Sequence, residues 1–243
     1  MKNEEHTIVL ITSGTLELSD LKGTTWFQSG DLCFCSGKSL IKQRSYPDPS
    51  GKYQEISIAL PQTVLKTFAH EFNHAEQRST TERGFLKLTE RPLLLNYMRS
   101  LLPYQKIFKQ ENSKELLIVK VKEAIITLLM ENPEMKQILF DFSNPPKVEL
   151  KPFMLQHYRF NVELKRFAYL SGRSLSTFKR DFERTFQTAP SRWLMQKRLE
   201  QAYYLIKKKR RSASAVYLEV GFEDLSHFSY VFKKHFGVPP SQL

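Results

Sequence analysis

The chain has 243 residues, is 41% hydrophobic with 18 Phe, and carries a formal net charge of +12. That is enough apolar material for one large or two ordinary domains, which excludes a disordered chain. No run of about 18 apolar residues exists to span a membrane, and Glu4 and Glu5 stand where a signal peptide needs positive charge, so a cytoplasmic location is expected.

Residues 8–12, 15–18, 24–27, 32–35 and 55–60 are short apolar runs punctuated by Gly14, Gly23, Gly30-Asp31 and Ser50-Gly51. Strands of this length and spacing predict a small antiparallel β-barrel or sandwich over residues 1–84. Cys33 and Cys35 share one face of such a strand. They are too close to staple distant segments and have no nearby His, so packing is their expected role. After Pro61, residues 64–74 read as helix and 77–84 as loop.

Two apolar helices follow, residues 92–102 with Pro at the start and 113–130 ending before Asn132-Pro133. The second is expected to bury Leu116, Leu117, Val119, Val121, Ile125, Ile126, Leu128 and Leu129. Coverage that wide is more than a lone surface helix needs, so it is expected to pack on the sheet and to offer a face to a second copy of the chain. Residues 85–146 are therefore read as a helical interface and linker, with a homodimer among the expected assemblies.

His70-Glu71-Phe72-Asn73-His74 matches the H-E-x-x-H pattern of zinc hydrolases. On a helix it places two imidazoles on one face, with the glutamate between them as general base. A catalytic zinc also wants a third protein ligand. The acids downstream are Glu76, Glu82 and Glu90, and the next histidine is His157. A zinc-dependent hydrolase built on His70, Glu71 and His74 is thus the alternative reading. The leading expectation has no catalytic residue, no metal and no cofactor, with the motif as polar residues on a helix surface.

Ser143-Asn144-Pro145-Pro146 is the best boundary in the chain. Beyond it, residues 147–243 hold 19 Lys/Arg against 8 Asp/Glu, a net +11, whereas residues 1–146 hold 18 against 17, a net +1. One third of the chain carries nearly all the excess, which predicts a polyanionic partner for that third. No basic amphipathic helix of the membrane-surface kind stands apart from it, so duplex DNA is expected and a membrane is not.

That third contains one pattern written twice. Leu175, Ser176, Phe178, Phe182, Phe186, Pro190 and Ser191 recur as Leu225, Ser226, Phe228, Phe232, Phe236, Pro240 and Ser241, each 50 residues later. The spacing is the buried stripe of a helix of about three turns. Ser174 and Asp224 are suited to N-cap the two helices. Upstream, Leu164, Phe167, Ala168 and Gly172 match Ala213, Val216, Tyr217 and Gly221. A short helix, a turn with Gly and a second helix make a helix-turn-helix, whose second helix enters the major groove of DNA.

An opening helix over residues 148–158 and a connector over 191–207 complete an all-α C-terminal module at 147–243. Candidate DNA-contacting residues are Ser174, Ser176, Thr177, Lys179, Arg180 and Arg184 in the first helix-turn-helix. In the second they are Leu225, Ser226, His227, Ser229, Tyr230, Lys233 and Lys234. Arg180 and its neighbours suit guanine, because the guanidinium fork matches O6 and N7. Lys233 and Lys234 suit phosphates. The run Lys207-Lys208-Lys209-Arg210-Arg211 is a solvated turn after a helix C-terminus that can also meet phosphates. The whole reads as α+β, with antiparallel strands and helices first and a double helix-turn-helix after.

Val220-Gly221-Phe222-Glu223-Asp224-Leu225-Ser226-His227-Phe228-Ser229, then Phe232-Lys233-Lys234 and Phe236-Gly237-Val238-Pro239-Pro240-Ser241, closely resemble the signature of AraC-type bacterial transcription regulators. The resemblance covers residues 148–243. More loosely, the N-terminal part is similar to the cupin-like effector or dimerisation domain of such proteins. What the resemblance implies is an activator whose two helix-turn-helix units sit in successive major grooves. It also implies RNA polymerase as a partner and an upstream domain that answers a small molecule or a regulatory protein. Gln187 stands where the family has a glycine, and only His6 precedes His70, so the His-rich motif of metal-binding cupins is missing.

Overall fold

Two units, Met1–Ser143 and Asn144–Leu243, make up the chain in a computed structural model that describes residues 5–79, 83–110 and 113–243. Glu4, Glu82 and the middle of the loop expected over 77–84 lie outside the described residues.

The N-terminal unit begins with seven strands among its described residues: β1 (His6–Ser13), β2 (Thr15–Asp20), β3 (Gly23–Gln28), β4 (Leu32–Cys35), β5 (Lys42–Tyr46), β6 (Gln54–Leu60) and β7 (Phe85–Leu88). They form two antiparallel sheets, β6-β1-β4-β7 and β3-β2-β5. Alternation along the strands sorts the core. Val9, Ile11, Cys33, Cys35 and Phe85 meet Leu16, Leu18 and Phe27 of the second sheet. Ile8, Leu10, Leu32, Phe34, Ile56 and Ile58 face the other way, onto helices.

Those helices are α1 (Gln62–Glu71), α2 (Pro92–Ser100), α3 (Lys114–Glu131) and α4 (Lys136–Leu139). Glu131, at the end of α3, accepts from the Leu93 and Leu94 amides at 3.0 Å each, so it closes the first turn of α2. The antiparallel β expectation and the helices behind it hold, with two adjustments. β5 and β7 appear where no strand was expected, and β7 brings residues 85–88 into the first sheet. α3 buries Val121, Ala124, Ile125, Leu128 and Leu129 only. Val119 is 59% exposed, and Leu117 and Ile126 are 40% exposed, contrary to the burial expected of them.

The C-terminal unit is all helix: α5 (Leu150–His157), α6 (Leu164–Leu170), α7 (Leu175–Phe186), α8 (Pro190–Lys207), α9 (Ala213–Val220) and α10 (Leu225–Phe236). The Phe stripes behave as the repeat requires. Phe178 and Phe182 are fully buried, Phe182 lying edge-on to Trp193 of α8 at 5.6 Å, while Phe228 and Phe232 join Leu199, Ala202, Leu205 and Ile206 of the same helix. The connector thus gives one end to each helix-turn-helix. Among the described residues, no helix is long and apolar enough to cross a membrane.

Candidate nucleic-acid interface

Each candidate reading helix, α7 and α10, starts at a capped N-terminus. Ser174 Oγ accepts from the Thr177 amide at 3.2 Å, and Asp224 Oδ1 accepts from the His227 amide at 2.5 Å. Each ends in the left-handed region, at Gly237 in α10 and at Gln187 (φ 53°) in α7. With about 100° per residue, the position directly across from the buried Phe pair is Arg180 in α7 and Tyr230 in α10. Both are open to solvent: the Arg180 side chain is 78% exposed and Tyr230 is 66% exposed. Ser176 and Arg184 flank the first, and Ser226 and Lys234 flank the second at the matching places.

Charge differs between the two faces. α7 carries Lys179, Arg180 and Arg184 but also Asp181 and Glu183, whereas α10 carries Lys233 and Lys234 with no acid inside the helix. Glu183 is an exposed residue on the reading face that the sequence pattern did not single out, and a carboxylate there can accept from a cytosine amino group. Asp181 is buried. It receives Arg173 Nε at 3.1 Å, while Arg180 Nε and Arg184 NH2 stand 3.8 Å from its other oxygen. The Arg173 hydrogen bond holds the Asp181 carboxyl below its ordinary pKa despite burial. Arg173 also donates to the carbonyls of Val148 and Ser171, at 2.9 and 2.6 Å, and so fixes the turn before α7. An acid in the stripe, where the second copy has Val231, was the one signal of this lock.

The candidate residues are not all equally free. Ser176, Lys179, Ser226, His227, Lys233 and Lys234 are exposed, and Leu225 is exposed at the start of α10. Ser174 is occupied as a cap and lies 3.1 Å from the Ser176 hydroxyl, and Thr177 is half-buried against it. Ser229 donates its hydroxyl to the Leu225 carbonyl at 2.8 Å, a back-bond within the helix. In the basic run, Arg211 donates to Glu219 at 2.6 Å and also to the Ala215 carbonyl, so it ties α8 to α9. Lys207 donates to the Tyr203 hydroxyl, and Lys209 lies 6.0 Å over the Tyr204 ring.

The H-E-x-x-H segment does not form the helical face that zinc chemistry needs. α1 ends at Glu71, Asn73 turns into the left-handed region (φ 51°), and His74 lies beyond the helix, stacked on Phe140 at 4.7 Å. The expectation of a polar helix surface is corrected with it, since only His70 and Glu71 are helical. Burial and then Lys136 hold His74 below the usual histidine pKa. Glu71 is ion-paired to Lys122 at 2.6 Å. Among the described residues, no group of three or more His, Cys, Asp or Glu is placed to hold a metal ion.

Residues 6–140 match the family of the ExsA N-terminal regulatory domain, and residues 168–243 match a helix-turn-helix domain family. The HTH-type transcriptional regulator ExsA of Pseudomonas aeruginosa is 23% identical over 242 residues, covering 99% of this chain and 86% of that protein. The virulence regulon transcriptional activator VirF of Yersinia enterocolitica is 23% identical over 252 residues, covering 100% and 90%. Among solved structures, an apo ToxT variant from Vibrio cholerae aligns over 98% of this chain and 88% of that one, at 13% identity and a TM-score of 0.44.

Proposed function

Because the chain belongs to the family of the ExsA N-terminal regulatory domain and carries a helix-turn-helix domain behind it, it is an AraC-type DNA-binding transcription regulator, and we propose that it is an activator working in the cytoplasm. The name of the VirF relative supports activation. In this reading α7 and α10 enter successive major grooves, with Arg180, Lys179 and Arg184 in one and Ser226, His227, Tyr230, Lys233 and Lys234 in the other. Ser174, Thr177, Leu225 and Ser229 shape the helix ends and backbones that present them. RNA polymerase is the downstream partner. The N-terminal unit answers a small molecule or a regulatory protein and pairs two copies of the chain. It performs no catalysis.

One observation carries the reading. The same amphipathic helix occurs twice, polar and open across from a buried Phe pair, in the third of the chain that holds a net charge of +11. The test is binding of the full-length chain to duplex DNA over a range of salt. With about six phosphate contacts, log K should fall against log salt with a slope near −5. A flat salt dependence, or no binding at low salt, removes the reading. A tightly held zinc with chelator-sensitive hydrolysis would favour the hydrolase instead.

A further inference from the structure

Arg198 lies midway along α8, the helix that serves both helix-turn-helix units. Its guanidinium donates to the Tyr158 carbonyl at 2.9 Å through Nε, to the Phe160 carbonyl at 2.9 Å through NH2, and to Asn161 Oδ1 at 3.4 Å through NH1. All three acceptors belong to the loop between α5 and α6, on the side of the first helix-turn-helix. The same side chain faces Gly221, the left-handed residue (φ 101°) that ends α9 in the second. A Cβ at Gly221 would lie 2.9 Å from Arg198 Nε, 3.2 Å from its Cζ and 2.8 Å from the Arg159 carbonyl oxygen.

The junction therefore closes only because residue 221 has no side chain and residue 198 has a planar fork. From it, contacts run to both reading helices. Phe222, next to Gly221, packs edge-on against Phe228 of α10 at 5.0 Å. Tyr158, whose carbonyl accepts from Arg198, packs edge-on against Trp193 of α8 at 6.3 Å, and Trp193 packs edge-on against Phe182 of α7 at 5.6 Å. Arg198 is a cation in the most basic part of the chain, yet its donors are spent within the protein, on two backbone carbonyls and the Asn161 side chain. A helix of 18 residues joined to its neighbours by turns has other ways to swing. A bidentate guanidinium fixes direction as well as distance, which a lysine at the same place does not.

We propose that Arg198 is a positioning residue that sets the angle between α7 and α10, so that both helices meet one DNA site together. The proposal rests on the reading that both helix-turn-helix units contact DNA. When two modules are held at the right span, the second binds as if at high local concentration, and loss of the geometry forfeits that gain without touching either module.

The experiment uses the full-length chain and duplexes enriched by the wild type from a random-sequence pool. Each duplex is made intact, with one half scrambled, and with about five base pairs inserted between the halves, which is half a helical turn. Affinities are measured for the wild type, Arg198→Met and Arg198→Lys, with melting curves to confirm folding. On the intact duplex both variants should bind about tenfold more weakly or worse, and on half-scrambled duplexes they should stay within about twofold of wild type. The penalty for the insertion, large in the wild type, should shrink in both.

A folded variant that keeps the wild-type insertion penalty overturns the proposal. Equal losses on intact and half-scrambled duplexes also overturn it, since that is the mark of a merely structural side chain. Should Arg198→Met not fold, Arg198→Lys, which keeps the charge and stem, decides alone. A wild type that binds duplex DNA without any insertion penalty removes the two-helix reading and this inference with it. A wild type that binds no duplex at low salt removes the DNA reading itself.

Discussion

Arg180 and Tyr230 occupy the same place on two copies of one helix, and under the proposed function a charged fork and a phenol would read a base in different ways. Arg180→Ala is expected to cost about 1–3 kcal/mol in binding and to relax preference at one base pair. Ser226→Ala should cost less, because a neutral hydroxyl bond is weaker than a charge-assisted pair. Titrating single-base variants of an enriched duplex checks both. His157 supplies a pH test. Its ring stacks on Phe153 at 4.4 Å, its Nδ1 lies 2.7 Å from the Phe153 carbonyl oxygen, and burial holds its pKa below the usual value. With the folded value depressed, the unfolded chain takes the proton first. The stability this neutral ring preserves is thus present above an ordinary pKa of about 6.5 and lost as pH falls through it. Melting curves from pH 7 downward should show that loss, and His157→Phe should flatten it. The outward residues of both helices were legible in the sequence, because a period of 3.6 assigns faces. So were the caps at Ser174 and Asp224, because cap residues stand just before each apolar stripe. The back-bond of Ser229 and the Arg173–Asp181 lock were not, since each depends on which nearby backbone group or packed helix captures a polar atom.

α3 is apolar on two faces, and the structure covers one. Val119, Ile126 and Met130 form an exposed stripe at heptad-like spacing, opposite Ile125 and Leu128 in the core. Val119→Glu with Ile126→Glu should shift the full chain toward monomer in sedimentation with little change in melting. Ile125→Ala, by contrast, should cost about 2–5 kcal/mol of stability through the cavity it leaves. A wild-type chain that stays monomeric through the micromolar range removes the dimer. The C-terminus of α7 offers a stabilising change. Gln187 holds φ at 53°, where a Cβ is strained, and its side chain recovers one bond to the Arg184 carbonyl at 2.9 Å. Gln187→Gly should raise stability by about 0.5–1 kcal/mol, read from denaturant melts. The long helices were legible as elements, but β5 and β7 were not. Lys42-Gln43-Arg44-Ser45-Tyr46 has no alternation to read, and β7 is four residues whose partner, β4, lies some fifty positions earlier, so only tertiary pairing makes it a strand.

Across the whole chain, charge and topology divide the labour: a unit of nearly balanced charge precedes one that holds almost all the excess. Glu71→Gln, which breaks the pair with Lys122, should leave DNA affinity unchanged and cost under about 1 kcal/mol of stability. Metal analysis of the same protein should find no stoichiometric zinc. The division was legible because charge and the repeat of 50 are properties of the string itself. The junction at Arg198 and Gly221 was not, because it joins segments some forty and twenty residues distant from the connector's centre. The uneven charge on the two reading helices, finally, has a consequence in time. Under the proposed function, the lysines on α10, with no acid within their helix, would attract the phosphates of any sequence and so favour sliding between encounters. Arg180 is partly answered by Asp181 until a guanine displaces that weak pairing, so it acts on how long the protein stops. Rising salt is then expected to weaken the sliding search more steeply than it shortens the stay.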